Sequence, residues 1–210
     1  MRRIVSVILI IMILMFTVSC ANLSQSKKEI EYEAANTAYQ DLVKAHELCI
    51  DIMDSMYGAW YFSIYKYDDY SGSNGFKEFC YEANLYSQDA LDAVGVIFEM
   101  DNVSAYAAYE TLLDDFDWSI AIVEQVYKSN GTYNDIENCL SNAKLSLKSV
   151  TNEYSDYTGY SVLKSYYSEI SAYYEFCKSP TGSFAQLKTT IDNYETNLRN
   201  YKNDLSFIFE

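Results

Sequence analysis

Five carboxylates, Glu110, Asp114, Asp115, Asp117 and Glu124, crowd one stretch of this chain. At helical spacing most of them fall near one face, and grouped carboxylates can hold a divalent cation or a basic partner. The same pattern is also the ordinary solvated face of an acidic helix. Asp69 to Gly75 resembles a calcium loop only in composition: with Asp69 first, Asn74 falls where glycine is required and Cys80 where the bidentate glutamate belongs. His46 is the only histidine. A di-iron bundle needs Glu-x-x-His twice, so that chemistry is excluded, and nucleophilic catalysis would need another residue to meet His46 in space. The sequence reads His46 as a partly exposed helix residue.

Beyond Cys20, four cysteines remain, Cys49, Cys80, Cys139 and Cys177, with no C-x-x-C spacing. Buried thiols are the expectation, with a Cys80–Cys177 bridge as the alternative. Glycine-rich phosphate loops are absent from the sequence. No catalytic residue, metal site or cofactor is assigned.

The strongest compositional signal is aromatic: 22 tyrosines, 10 phenylalanines and 2 tryptophans. Tyr57, Tyr61 and Tyr65 recur four residues apart along one helical face. Tyr57, Trp60, Tyr61, Tyr65, Tyr67, Tyr70, Tyr166 and Tyr173 are the candidate partner-binding residues. Phe76, Phe79, Tyr81 and Tyr86 are expected at the same end of the molecule. Rings with a polar tip suit contact with proteins or sugars. Equally, a ring stripe at helical spacing can fill a bundle core with its hydroxyls reaching the surface.

The elements that must position these rings are helices. One proline and seven glycines leave few places to interrupt them. Helices are expected over about 28–66, 76–128 with a break near 101–103, 134–177 and 183–208. The first carries an apolar stripe at Ile30, Ala34, Ala38, Leu42, Ala45, Cys49, Ile52, Met56 and Ala59. The last carries a heptad seam of Phe184, Leu187, Ile191, Tyr194, Leu198, Tyr201, Leu205 and Ile208, in steps of three and four. Loops are expected at 68–75, 128–132 and 179–182. The fold class is all-α: an elongated, antiparallel, coiled-coil-like four-helix bundle running up-down-up-down. Its 1–2 and 3–4 turns share the pole distal to the N-terminus, where the rings collect.

Charge narrows the partners. The net charge is −15, and loss of Arg2 and Arg3 with the first 19 residues makes it −17. Such a polyanion repels nucleic acid and anionic lipid head groups. Nucleic acid is therefore excluded as a partner, and membrane attachment has to come from something other than a basic patch.

Residues 1–19 read as an export signal: Met1-Arg2-Arg3, then an almost unbroken apolar run from Ile4 to Val18, too short to span a bilayer. The junction Phe16-Thr17-Val18-Ser19-Cys20 resembles the lipobox of bacterial lipoproteins. The resemblance covers only this segment. It implies that Cys20 becomes the first mature residue and carries thioether-linked acyl chains, which hold an acidic protein at the membrane. Residues 20–27 would then be a tether and 28–210 the bundle domain. Cleavage after Ala21, giving a secreted protein, is the alternative. The expected role is a tethered extracytoplasmic binding or structural module whose partner is an envelope protein or a glycan. The ligand-binding subunit of an envelope transport or sensing system is second, and an enzyme third.

Overall fold

The computed structural model describes residues 2–67, 72–101, 104, 105, 108, 113, 115–150 and 158–209, with α1 side chains from Lys28, α2 side chains from Asn74 and α6 side chains from Gly159. The protein is an all-α helical bundle. Its described helices are α1 (Arg2–Tyr65), α2 (Gly72–Glu82), α3 (Ser87–Phe98), α4 (Phe116–Ser129), α5 (Thr132–Ser149), α6 (Thr158–Lys178) and α7 (Phe184–Phe209). No strand occurs among the described residues, and no described helix is long and apolar enough to cross a membrane.

Helix α1 is the axis, packed against α2, α4, α5, α6 and α7. The stripe Ala38, Leu42, Ala45, Cys49, Ile52, Met56 and Ala59 is fully buried, as its spacing predicts. Tyr39, His46, Met53 and Phe62 are buried as well, so α1 is covered on more than one side. Ile30, expected to begin the stripe, is exposed, while the neighbouring Glu31 is buried.

Cross-helix contacts give the direction of each leg. Ser63 meets Ser119 at 2.6 Å and Ser55 meets Tyr127 at 2.8 Å, so α4 runs antiparallel to α1. Helix α5 continues that way, with Cys139 in the field of Lys44 and Asp41. Tyr160 then donates to the Leu147 carbonyl at 3.2 Å and Tyr174 to that of Tyr133 at 3.4 Å, so α6 returns along α5. Tyr57 stacks on Phe184 at one end and Tyr32 donates to the Ile208 carbonyl at the other, so α7 descends along α1. The legs are α1, α4–α5, α6 and α7, up-down-up-down.

This assignment corrects the expected segmentation. The 128–132 turn is a kink within the second leg, not a reversal. Gly131 takes one left-handed step at φ +86°, and the Asn130 side chain accepts from the Thr132 amide at 3.0 Å to restart the helix. The apolar face of α4 (Ile122, Val123, Val126) runs on into that of α5 (Ile136, Leu140, Ala143), so one groove on α1 takes both. The reversal falls between α5 and α6, inside what was expected as one helix over 134–177.

The expected 76–128 helix is likewise divided. Asn84 and Glu99 adopt positive φ after α2 and α3; α2 folds back along the last turns of α1, and α3 packs on α4. The break expected near 101–103 follows Glu99, although residues 102 and 103 lie outside the described residues. The seam of α7 packs within the chain: Leu187, Ile191, Leu198 and Leu205 are buried against α6 and α1. A reciprocal cap starts that helix, the Ser183 amide donating to Gln186 Oε1 at 2.7 Å and the Gln186 amide to Ser183 Oγ at 3.4 Å.

Helix α2 reaches α1 through one glycine. A Cβ on Gly58 would run into the Glu82 carbonyl at the end of α2. Lys66 clamps the same helix through Glu78 at 3.0 Å and Glu82 at 2.5 Å. Gly58→Ala therefore destabilises the protein by about 1–3 kcal/mol, although alanine is the better helix former. A thermal melt should show Tm lowered by roughly 2–10 °C; an unchanged Tm would mean that α2 does not dock there.

Candidate functional site

Four of the candidate rings stand on the last turns of α1, and Phe184 at the start of α7 gathers them. Its ring lies 5.0 Å from Tyr57 (stacked), 5.5 Å from Tyr65 (edge-on), and 6.3 Å from each of Trp60 and Tyr61. Trp60 stacks on Phe116 of α4 at 4.8 Å, almost parallel, and Tyr61 lies 5.3 Å from Tyr65. Three legs thus contribute to one aromatic surface. It is graded: Trp60 is only 4% exposed, Tyr57, Tyr61 and Phe184 are half-buried, and Tyr65 and Phe116 are 58% and 39% exposed.

Tyr67 is half-buried beside this cluster, and Tyr70 lies outside the described residues. Phe76 and Phe79 of α2 are buried, and Phe79 meets Phe62 of α1 edge-on. Among the described residues Tyr81 and Tyr86 are the most open tyrosines, at 78% and 83%.

Tyr166 and Tyr173 are corrections. Both are fully buried halfway along the bundle and cannot meet a partner. The third leg begins near 158, not 134, so these residues face the middle of α1 rather than the pole. Tyr173 stacks on Tyr194 at 4.9 Å, and its hydroxyl has no hydrogen-bond partner among the described residues.

Tyr166 meets His46 Nδ1 at 3.0 Å, with the rings edge-to-face. His46 is thus a core residue, not a partly exposed one. Burial first, then the nearby Lys202 and Arg199 charges, hold its pKa down at about 4 against the opposing pull of Glu47. It is neutral at pH 7 and touches no nucleophilic hydroxyl or thiol in a cavity.

A small cleft opens next to the rings, between α1 and α7. It encloses about 160 Å³ and is lined by Asp54, Tyr57, Lys188, Ile191, Asp192 and Glu195. Lys188 pairs with Asp192 at 3.1 Å and sits over the Tyr57 ring, 5.9 Å from its centroid. Burial first raises the carboxyls of Asp54 and Glu195, with the Asp51 charge adding to it at Asp54 and the Asp54 charge at Glu195. Sequence reasoning missed this cleft, because its lining residues are about 130–140 positions apart and only the apposition of α7 on α1 joins them.

The five carboxylates do not assemble among the described residues. Asp115 caps α4 by accepting from the Asp117 amide at 2.9 Å, Glu124 is exposed, and Glu110 and Asp114 lie outside the described residues. Among the described residues no three His, Cys, Asp or Glu side chains stand close enough to hold a metal ion. Cys80 and Cys177 are not bridged; Cys49, Cys80, Cys139 and Cys177 are all buried free thiols.

Comparison with protein-family models, with curated proteins and with solved structures finds no match for this chain. The class defined by the coordinates is therefore the all-α bundle itself, with an aromatic surface at one end.

The His46 environment sets a pH dependence. Between pH 6.5 and about 4 the unfolded chain protonates this histidine while the folded chain does not, so stability falls as pH falls through that window. The loss reaches on the order of 3 kcal/mol. Asp54 and Glu195, with raised folded pKa values, act in the opposite sense, so the comparison must be with a variant. Urea unfolding at pH 7 and pH 4 should show His46→Gln losing less stability than wild type, by roughly that amount; equal losses would place His46 in water.

Proposed function

We propose that the chain is a membrane-tethered extracytoplasmic lipoprotein whose bundle presents the Phe184-centred aromatic surface to a partner, an envelope protein or a glycan. The observation that carries the binding half is the graded exposure of that cluster. Trp60 and Phe184 fix the rings from below, while Tyr65 and Phe116 remain open to water at the end of the rod. Pre-ordered rings cost little entropy on contact, which is why aromatic anchors dominate interfaces. The helical rise puts about 50 Å between Lys28 and Tyr61, so a tether ahead of α1 would hold the rings clear of a membrane surface.

The lipid half rests on the sequence from Met1 to Cys20. An acidic surface offers no electrostatic route to anionic lipid, so acyl chains on Cys20 would supply the attachment. A second reading, capture of a small ligand, is favoured by the α1–α7 cleft. At about 160 Å³ it falls short of the roughly 300–1,000 Å³ typical of ligand sites, and it ranks behind.

Two measurements test the halves separately. Expressed in a bacterial host with labelled palmitate, the protein should take up label that Cys20→Ala abolishes; a cytosolic product retaining Met1 would remove the lipoprotein reading. In a titration of envelope oligosaccharides followed by tryptophan emission, Tyr61→Ser with Tyr65→Ser should abolish binding and leave the melting curve in place. A collapsed melting curve would reassign those rings to the core.

A further inference from the structure

Two thiols from different legs meet in the core. Cys49 on α1 and Cys177 on α6 are both completely buried. The Cys177 thiol donates to the Cys49 carbonyl, Sγ to oxygen 3.7 Å, which places the Cys177 sulfur against the Cys49 backbone. Cys80 and Cys139 have different surroundings: Cys80 lies on α2, and Cys139 lies in the field of Lys44, Asp41 and Asp135.

We propose that Cys49 and Cys177 are a disulfide-forming pair, oxidised during folding to a bridge that staples α1 to α6. Four cysteines allow three connectivities, and the packing of the third leg on the axis favours one of them. The alternative that the sequence left beside buried thiols, a Cys80–Cys177 bridge, came from placing Cys177 at the pole. In the fold it lies one layer below, against the middle of α1.

The oxidant is a disulfide of the glutathione or thiol-oxidoreductase class, as found outside the cytoplasm. One cysteine thiolate attacks the oxidant's disulfide, forming a mixed disulfide and releasing one oxidant thiol. The second cysteine thiolate attacks the protein-side sulfur, closing the protein disulfide and releasing the second thiol. Two protons leave the protein thiols, and the two electrons end on the oxidant's sulfurs.

Burial determines when this happens. Neither sulfur is accessible once α6 has docked, and burial also raises the Cys177 thiol far above its ordinary pKa, which suppresses the thiolate. The folded, reduced protein is therefore inert towards oxidants, and the bridge must close before or as the third leg packs.

The test is refolding of the full chain from denaturant in mixed reduced and oxidised glutathione, followed by alkylation in denaturant and non-reducing peptide mapping. The expected product carries a Cys49–Cys177 peptide, with Cys80 and Cys139 alkylated. Its Tm falls by about 5–15 °C on reduction, a dependence that Cys177→Ala removes. The same oxidant added to already folded, reduced protein leaves Cys49 and Cys177 as thiols. Alkylation of both after oxidative refolding, or a bridge from either to Cys80 or Cys139, would overturn the pairing. Because the assay is done in vitro, it reads the pair independently of where the cell keeps the chain.

Discussion

Helix α1 is enclosed along most of its described length, and that enclosure constrains everything else in the structure. A helix at the rim of a bundle needs one apolar stripe; a helix at its centre must satisfy neighbours on several sides at once. Alanines 38, 45 and 59 and Gly58 let other backbones come close, and Gly58 does so against a carbonyl. Buried polar groups on α1 then need fixed partners, since an unpaired one costs about 1–3 kcal/mol. Ser55 finds Tyr127, Ser63 finds Ser119, and His46 finds Tyr166. Each partner lies on a different turn of another leg, so the three pairs fix the register of α4 and α6 against α1.

The tyrosine content follows from the same geometry. A phenolic ring buries as much as phenylalanine and carries its hydroxyl far enough to reach a backbone carbonyl on the next helix. Tyr127 donates to Asp51, Tyr160 to Leu147, Tyr133 to Cys177 and Tyr32 to Ile208, in every case across a helix–helix boundary. Such bonds specify which helix lies beside which more sharply than leucine packing would. Much of the aromatic signal in the sequence is therefore structural, whereas the rings around Phe184 combine burial below with exposure above.

The all-α class and the seam of α7 were legible because period and turn chemistry are local properties. Phe184 to Ile208 reads as an amphipathic helix whatever surrounds it. The course of the chain at 128–132 was not legible, because Asn-Gly serves equally as a hairpin and as a kink. The choice is made by α1, whose continuous groove accepts α4 and α5 in line. Once that turn is misread, every height in the third leg moves, which is why Tyr166, Tyr173 and Cys177 were expected at the pole and sit below it. His46 was misread for a related reason: an isolated histidine on a helix looks solvated until a second face of that helix is covered.

Electrostatics separates the two sides of α1 near the rings. The Asp54–Glu195 side is carboxylate-rich and depends on Lys188 for local balance, while on the other side Trp60 stacks on Phe116, which the exposed Asp115 and Asp117 flank in the chain. A partner laid across the tip would meet apolar ring faces beside acidic groups already disfavoured by burial. Any hydrogen-bond donor arriving there relieves part of that cost, whereas an anion adds to it. Donor-rich surfaces, sugar hydroxyls or a basic protein face, therefore match both sides of the tip together. An acidic or purely apolar partner matches only one.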